Sequence, residues 1–465
     1  MKYDVIIVGA GPAGIFAALE LTEKTDLNIL MLDRGPDINQ RKCPASRGFE
    51  CVHCEPCLLL SGWGGAGAFS DGKLTLSTEV GGWLNQYVSN KELEELVDYV
   101  DKVYLKFGAT EQVYGADVEK VEEIEREASL AGLKLIRQKI RHMGTEKCAQ
   151  TLRKMRQELN GKAEFKPRAD VKGLIVKGDT VEGVETVDGE KFLGKYVIVA
   201  PGRSGAEWLQ SEAQALGLKT LNNPVDVGLR VEILASVMEK LTKPLYEPKF
   251  IYYSKCFDDQ VRTFCVAPYG EVITESYNGV LTVNGQSYAE RKTENTNFAI
   301  LVSTSFTEPF KEPIAYGKYL ARLSNLLSGG VIIQRLGDLE SGRRSTPERI
   351  ARSVVTPTLK NATPGDLSFV LPYRYLADIT EMLQALDKIA PGVHSRDTLL
   401  YGIEVKFYSS RLQLNNCLET KIHNLFTIGD GAGVTRGLVQ ASASGVIVAR
   451  EIIRREKQRI KPCPS

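Results

Sequence analysis

An unbroken apolar run, Val5-Ile-Ile-Val8, leads straight into Gly9-Ala-Gly11-Pro12-Ala13-Gly14, and Ile15 to Leu21 then continues in a helical pattern. Apolar residues bounded by glycines predict a buried strand, a turn and a helix. Asn28-Ile-Leu-Met-Leu32 predicts a second strand that stops at Asp33. The strand pattern returns at Lys195-Tyr-Val-Ile-Val-Ala200 and at Asn424-Leu-Phe-Thr-Ile428, the latter followed by a helical run from Gln440 to Ile453. Ala163 to Val171 and Thr180 to Phe192, joined by Gly178-Asp179 and broken at Asp188-Gly189, predict a small β-meander.

Residues 90–140 are charged, with Leu93, Leu96, Val97, Val100, Val103, Tyr104 and Phe107 recurring at three and four, the mark of an amphipathic helix packed on the body. From 223 to 396 the pattern alternates: Val227–Ile233, Lys249–Ser254, Thr263–Ala267, Val272–Tyr277 and Phe298–Ser305 predict an antiparallel sheet. Helical stretches follow at Tyr316–Leu327 and Leu376–Ile389, and Arg454–Ser465 reads as a polar tail. The expected fold is therefore α/β. A discontinuous Rossmann-like domain with a parallel sheet and a small meander would take residues 1–80, 141–222 and 397–457. A helical insertion would take 81–140, an α+β substrate domain with an antiparallel sheet 223–396, and a tail 458–465.

The opening pattern also carries chemistry. In Gly9-x-Gly11-x-x-Gly14, the first glycine permits the tight turn and the second lets backbone approach a pyrophosphate. The third lets helix and strand pack closely, while Pro12 and Ala13 begin a helix whose N–H groups face the anion. Asp33, nineteen residues beyond Gly14, can accept from ribose hydroxyls, with Arg34 beside it. Ile428-Gly429-Asp430-Gly-Ala-Gly is similar to the C-terminal flavin motif of the glutathione-reductase-type FAD proteins. That resemblance gives Asp430 the ribityl and phosphate region of FAD. It also aims the helix from Gly437-Leu438-Val439 at the flavin N1 and C2 carbonyl. Ala200-Pro201-Gly202-Arg203 resembles the middle motif of the same superfamily, and Val171 joins the expected cofactor contacts. A second strand-GxGxxG-helix unit is missing from the sequence, so a nicotinamide donor would have to dock in another way.

Two further segments stand out. Cys43, Cys51, Cys54 and Cys57 place four thiols on one loop, enough for a tetrathiolate site holding an iron–sulfur cluster or zinc, or for redox-active thiols, with a loop that has neither metal nor redox role as the remaining alternative. Immediately after comes Gly62-Trp-Gly64-Gly65-Ala66-Gly67-Ala-Phe-Ser-Asp-Gly-Lys73, whose glycines suit close approach to a flat ligand and whose Trp63 and Phe69 want burial. Gly62–Leu74 and Ile428–Leu438 together resemble the uncharacterised bacterial and archaeal "FAD-dependent dehydrogenase" family, along essentially residues 1–455. The resemblance implies a flavoprotein of the glutathione-reductase-type superfamily and brings no substrate.

For catalysis, Tyr401–Tyr408 reads as a strand with Glu404 and Lys406 on one face. That face is either solvated or turned into a cleft, where Lys406 would orient an anion or donate a proton and Glu404 would set its pKa. Arg436, in the flavin turn, is the electrostatic candidate. The expectation is an FAD-dependent oxidoreductase moving a hydride between flavin N5 and a small organic substrate, with electrons passing through the cysteine cluster. The alternatives are a flavin monooxygenase of the hydroxybenzoate-hydroxylase type and a noncatalytic electron carrier or redox sensor. A redox partner protein or a nicotinamide donor is expected. Composition narrows the field further. Of 465 residues, 59 are Lys or Arg and 58 are Asp or Glu, a net +1 that gives no electrostatic case for nucleic acid or an anionic membrane. With no signal peptide or apolar span in the pattern, the reading is a cytoplasmic protein. Nine cysteines, an odd number, favour thiols over a disulfide framework.

Overall fold

The computed structural model describes residues 2–43, 52, 54–221, 225–277, 279–288, 291–304, 313–406 and 411–458. They form two compact units: residues 1–112, 141–223 and 409–465, and residues 113–140 and 224–408.

In the first unit the Lys2–Val8 strand lies between Ile29–Asp33 and Lys191–Val199, parallel to both, and Glu164–Pro167 extends the sheet past Ile29–Asp33. Val5, Ile6 and Ile7 are fully buried, which is why this strand is continuously apolar rather than alternating. Lys191–Val199 serves two neighbours on its far edge. Its beginning pairs antiparallel with Thr180–Thr186, which in turn pairs with Val171–Lys177. Its end, Val197–Val199, pairs parallel with Leu425–Thr427, and so the C-terminal segment enters the sheet.

The expected meander strand Ala163–Val171 is thus corrected. Glu164–Pro167 belongs to the parallel sheet, and the chain turns at Arg168, whose φ is 57°, before the meander starts at Val171. The Arg168 and Ala169 amides donate to the carbonyls of Gly35 and Asp33, a long-range anchor that local alternation does not reveal. The Pro12–Lys24 helix packs against the Leu438–Gln458 helix so closely that a Cβ on Gly445 would lie 2.1 Å from the Ala13 carbonyl oxygen. Asn90–Lys106, capped by Ser89 accepting from the Glu92 N–H, buries the anticipated Leu93, Leu96, Val97, Val100 and Tyr104. The expected tail begins later than Arg454: the last helix continues to Gln458, and buried Arg455 bonds Glu419 and Glu451 at 2.7 Å each. Residues 459–465 lie outside the described residues.

The second unit is built on an eight-stranded sheet. In spatial order its strands are Thr363–Pro364, Ile332–Arg335, Leu399–Lys406, Val225–Leu234, Asn295–Thr304, Gln260–Ala267, Phe250–Tyr253 and Lys134–Leu135. All neighbours are antiparallel except the first pair. One face packs Val227, Leu229, Val231 and Ile233 with Phe298, Ile300 and Val302 against helices Val118–Leu130, Ala235–Leu245 and Tyr373–Asp387. Two domain boundaries differ from expectation. The region 81–140 is divided, Asn90–Lys106 going to the first unit and Val118–Leu130 to the second. Leu399–Lys406, expected with the dinucleotide domain, is an interior strand of the second sheet. Its apolar residues fit either core, and only register against Val225–Leu234 assigns it.

Candidate functional site

In the first unit four separated segments meet at the N-terminus of the Pro12–Lys24 helix. Gly9 has φ 107°, and a Cβ there would lie 2.0 Å from the Ala200 carbonyl oxygen; one on Gly14 would lie 2.1 Å from the Gly9 oxygen. Both positions therefore require glycine. Ala200 donates to the Val8 carbonyl at 2.7 Å, bringing Pro201, Gly202 and Arg203 beside this turn. The Gly64 amide donates to the Ala10 carbonyl at 2.7 Å, so the second glycine loop lies on the first. A Cβ on Gly67 would meet Leu438 at 2.7 Å and Pro12 at 3.5 Å, and one on Gly431 would meet the Gly202 oxygen at 2.3 Å. Gly11, Gly62, Gly64, Gly65, Ala66, Gly67, Gly202, Gly429 and Leu438 are thus brought together. Val171 starts the first meander strand, and Lys73, paired with Asp71 at 3.2 Å, starts the Lys73–Leu76 strand of a separate two-stranded sheet.

Asp33 organises the near side. One carboxylate oxygen accepts from Ala10 at 2.8 Å, and the other accepts from Gly35 at 2.8 Å and Gly62 at 2.7 Å. A carboxylate offers about four acceptor positions, so one is left for a ribose hydroxyl. Arg34 bonds Ser61 Oγ and the Ser204 carbonyl. Arg41, which sequence reasoning missed, is buried and donates to the carbonyls of Leu58, Leu59, Trp63 and Gly65 at 2.7 to 3.0 Å. Burial pulls its guanidinium down to about 10, against the opposing pull of Asp33 and Cys57. No periodicity marks such a residue. Trp63 is fully buried, its Nε1 donating to the Leu152 carbonyl at 3.0 Å, so the glycine loop is a fixed element.

On the far side, Asp430 Oδ1 accepts from Thr435 Oγ1 at 2.8 Å and Oδ2 from the Gly437 amide at 3.4 Å. Burial raises this carboxyl above its ordinary value, with Arg203, these two donors and Arg436 opposing. Val439 is buried on the first turn of the last helix. A second missed element is Val80-Gly81-Gly82-Trp83, which pairs along residues 434–436. The Gly-Gly pair is a turn signal, but it points to no partner.

Cys43 is buried and Cys54 and Cys57 are half-buried, all three as thiols; Cys51 and His53 lie outside the described residues. Among the described residues, no group of three or more His, Cys, Asp or Glu side chains could hold a metal ion. Cys417 is disulfide-bonded.

Glu404 and Lys406 belong to the second unit, Arg436 to the first. Their strand face is not solvated: Glu404 is fully buried, 2.9 Å from Lys406 Nζ and 3.4 Å from Arg230 Nη1. Arg230, itself fully buried, also bonds Asn297 Oδ1 and the Cys265 carbonyl. Burial disfavours the Lys406 charge, yet Glu404 and Glu275 hold its ammonium above the ordinary value. Alternating charge reads as exposure in sequence, and only the buried contact of Glu404 with Arg230 reverses that reading.

A parallel sheet with a glycine turn at a helix N-terminus, closed by a C-terminal Gly-Asp turn, defines a dinucleotide-binding α/β fold. Residues 4–291 match the family described as FAD dependent oxidoreductase, and residues 224–407 match the FAD-dependent protein, C-terminal domain-like family. The first match spans more than half of the chain: the protein belongs to the FAD dependent oxidoreductase family, an oxidoreductase with FAD as cofactor. An uncharacterized protein of Clostridium beijerinckii is 27% identical over 489 residues, covering 98% of this chain and 81% of that one. Glycine oxidase from Geobacillus kaustophilus is similar at 13% identity and TM-score 0.39, covering 98% of this chain and 95% of that one. L-proline dehydrogenase from P. horikoshii is similar at 12% identity and TM-score 0.40, covering 97% and 94%.

The residues fit the cofactor. The Pro12–Lys24 helix has no side-chain cap, so its first-turn N–H groups lack intrahelical acceptors and suit a pyrophosphate. Space stands open at the right positions: a Cβ on Gly202 or Gly437 would meet nothing within 4 Å. Among the described residues, no helix is long and apolar enough to cross a membrane.

Proposed function

We propose that the protein is a dehydrogenase or reductase of the glutathione-reductase-type superfamily that exchanges a hydride with a small organic substrate. The convergence of four glycine-bearing segments on one uncapped helix N-terminus carries this reading. Bound FAD supplies the hydride acceptor, flavin N5. The first-turn N–H groups hold the pyrophosphate, Asp33 the adenosine ribose, and Asp430 the ribityl chain. Arg436 and the positive end of the Leu438–Gln458 helix favour the negative charge that reduction leaves on the pyrimidine side. In the second unit, Lys406 is held charged by Glu404, the state needed to orient an anionic group. Hydride transfer asks for no nucleophile, so positioning and electrostatics are what the protein contributes.

Cys43, Cys54 and Cys57 would pass electrons to a partner, through a cluster with Cys51 or as thiols. Anaerobically purified protein should be yellow and should be reduced in stopped-flow mixing by members of a small-molecule panel that includes nicotinamide donors. A flavin reduced only by dithionite would sink the dehydrogenase reading, and substrate hydroxylation coupled to oxygen uptake would replace it with a monooxygenase. Iron and sulfide in the same preparation would establish an electron-passing cluster; zinc alone, which is redox-inert, would make the site structural, and the absence of all three in protein never exposed to oxygen would remove the metal.

A further inference from the structure

We propose that Trp83 is a positioning residue for the redox chemistry: it holds the Arg436 guanidinium as a fixed cation beside the N-terminus of the last helix, where reduced flavin carries its negative charge. This rests on the reading that the C-terminal turn meets the flavin pyrimidine ring.

The argument begins with two glycines. Gly81 and Gly82 have φ of 121° and 127°, backbone that side chains rarely adopt. A Cβ on Gly82 would lie 2.6 Å from Thr435 Cα and 2.7 Å from the Val434 oxygen, and one on Gly81 would lie 2.9 Å from Gln440 Cγ. Only glycine at both positions lets this backbone press against the flavin turn. The segment is then pinned at three points. The Trp83 amide donates to the Val434 carbonyl at 2.9 Å, the Arg436 amide to the Gly81 carbonyl at 2.5 Å, and Gln440 Nε2 to the Val80 carbonyl at 3.1 Å.

The consequence is a stacked pair: Arg436 Cζ stands 4.2 Å from the Trp83 ring centroid, close for a cation over an indole. An arginine on an unconstrained surface samples many rotamers, whereas a planar guanidinium against a planar ring has one preferred arrangement. Arg411 Cζ lies 5.6 Å from the same ring and bonds Gln86, so a second cation shares the indole. Arg436 already acts on its surroundings, since its charge is among those that oppose the upward shift of buried Asp430. Gly437, immediately after it, has open space around it. A cation fixed there adds to the positive end of the helix and favours the anionic reduced cofactor over the neutral oxidised one.

The test measures the flavin midpoint potential by dye equilibration in purified, FAD-saturated wild type, Trp83→Leu, Trp83→Phe, Arg436→Met, Arg436→Lys and the Trp83→Leu/Arg436→Met double variant. Both Trp83→Leu and Arg436→Met should lower the potential, by the equivalent of about a tenfold loss in relative stability of reduced flavin, about 30 mV for a two-electron couple. Their combination should fall no further than Arg436→Met alone, because one group acts through the other. Trp83→Phe keeps a ring and should stay near wild type. An unshifted potential in Trp83→Leu, or additive shifts in the double variant, would overturn the proposal. Should Trp83→Leu not fold, Arg436→Lys keeps the charge and gives up the planar stack; it should fall part of the way, and a wild-type value would overturn the proposal equally. Wild type that binds no FAD would defeat the underlying reading, a result distinct from a yellow protein with an unmoved potential.

Discussion

Arg41 shows how much of a candidate cofactor site one side chain can organise. Its guanidinium satisfies four carbonyls between Leu58 and Gly65, tying the turn after Cys57 to the glycine loop that lies on the Gly9–Gly14 turn. Each buried carbonyl left without a donor costs about 1–3 kcal/mol. Arg41→Leu should therefore lower the melting temperature and the flavin content, read as visible over protein absorbance after FAD saturation. Arg41→Lys, with three donors in place of five, should fall between them. Arg41 was illegible in the sequence because a lone arginine in a loop looks like any solvated arginine. Gly9, Gly14 and Asp33 were legible because the steric demands of a strand–turn–helix crossing confine residue choice locally.

Among the elements, two buried helix carboxyls have opposite pH behaviour. Glu20 of Pro12–Lys24 is buried, accepts from Lys24 at 2.5 Å, Arg450 at 2.8 Å and Tyr99, and so ties three helices together. Burial raises this carboxyl, but Arg450, Lys24 and Tyr99 outweigh it and hold it below its usual 4.5. A carboxylate depressed in the folded state stabilises above its unfolded pKa and loses that contribution as pH falls through the folded value. Acidification below about pH 4.5 should thus destabilise wild type more than Glu20→Gln, as followed by thermal melts.

Asp378 of Tyr373–Asp387 runs the other way. It is fully buried; burial, and against the pull of Ser254 the neighbouring Asp259 carboxylate, push it up to about 6. Its contribution is complete below the ordinary 3.8 and is lost as pH rises through about 6. Asp378→Asn should accordingly raise the melting temperature relative to wild type more at pH 8 than at pH 4, and an equal difference at both would contradict this assignment. The amphipathic stripe of Asn90–Lys106 and the i,i+4 pair of Glu20 with Lys24 could be read from spacing alone, whereas Tyr99 and Arg450 against Glu20, and Asp259 against Asp378, sit on other elements and leave no trace in local pattern.

At the scale of the whole molecule, each unit is assembled from segments far apart in the chain. The first unit needs its C-terminal piece twice, as the Leu425–Thr427 strand beside Lys191–Val199 and as the helix packed on Pro12–Lys24. A chain ending at residue 408 should therefore bind no FAD even when refolded with excess cofactor, as measured by flavin fluorescence after gel filtration. Yellow protein from that truncation would contradict the topology.

The opening strand, turn and helix, the Gly-Asp turn near the other end, and the alternating strands between residues 223 and 396 can be read from the order of residues. These are local: an apolar run must be buried, and a crowded turn admits only glycine. Only the folded chain places Leu399–Lys406 in the second sheet, buries Glu404 against Arg230 and lays Val80–Trp83 along residues 434–436. Those outcomes depend on sheet register and on contacts such as Gln440 with Val80, 360 positions apart. No short-range pattern encodes which of many chemically adequate partners a buried charge or an exposed backbone edge will meet.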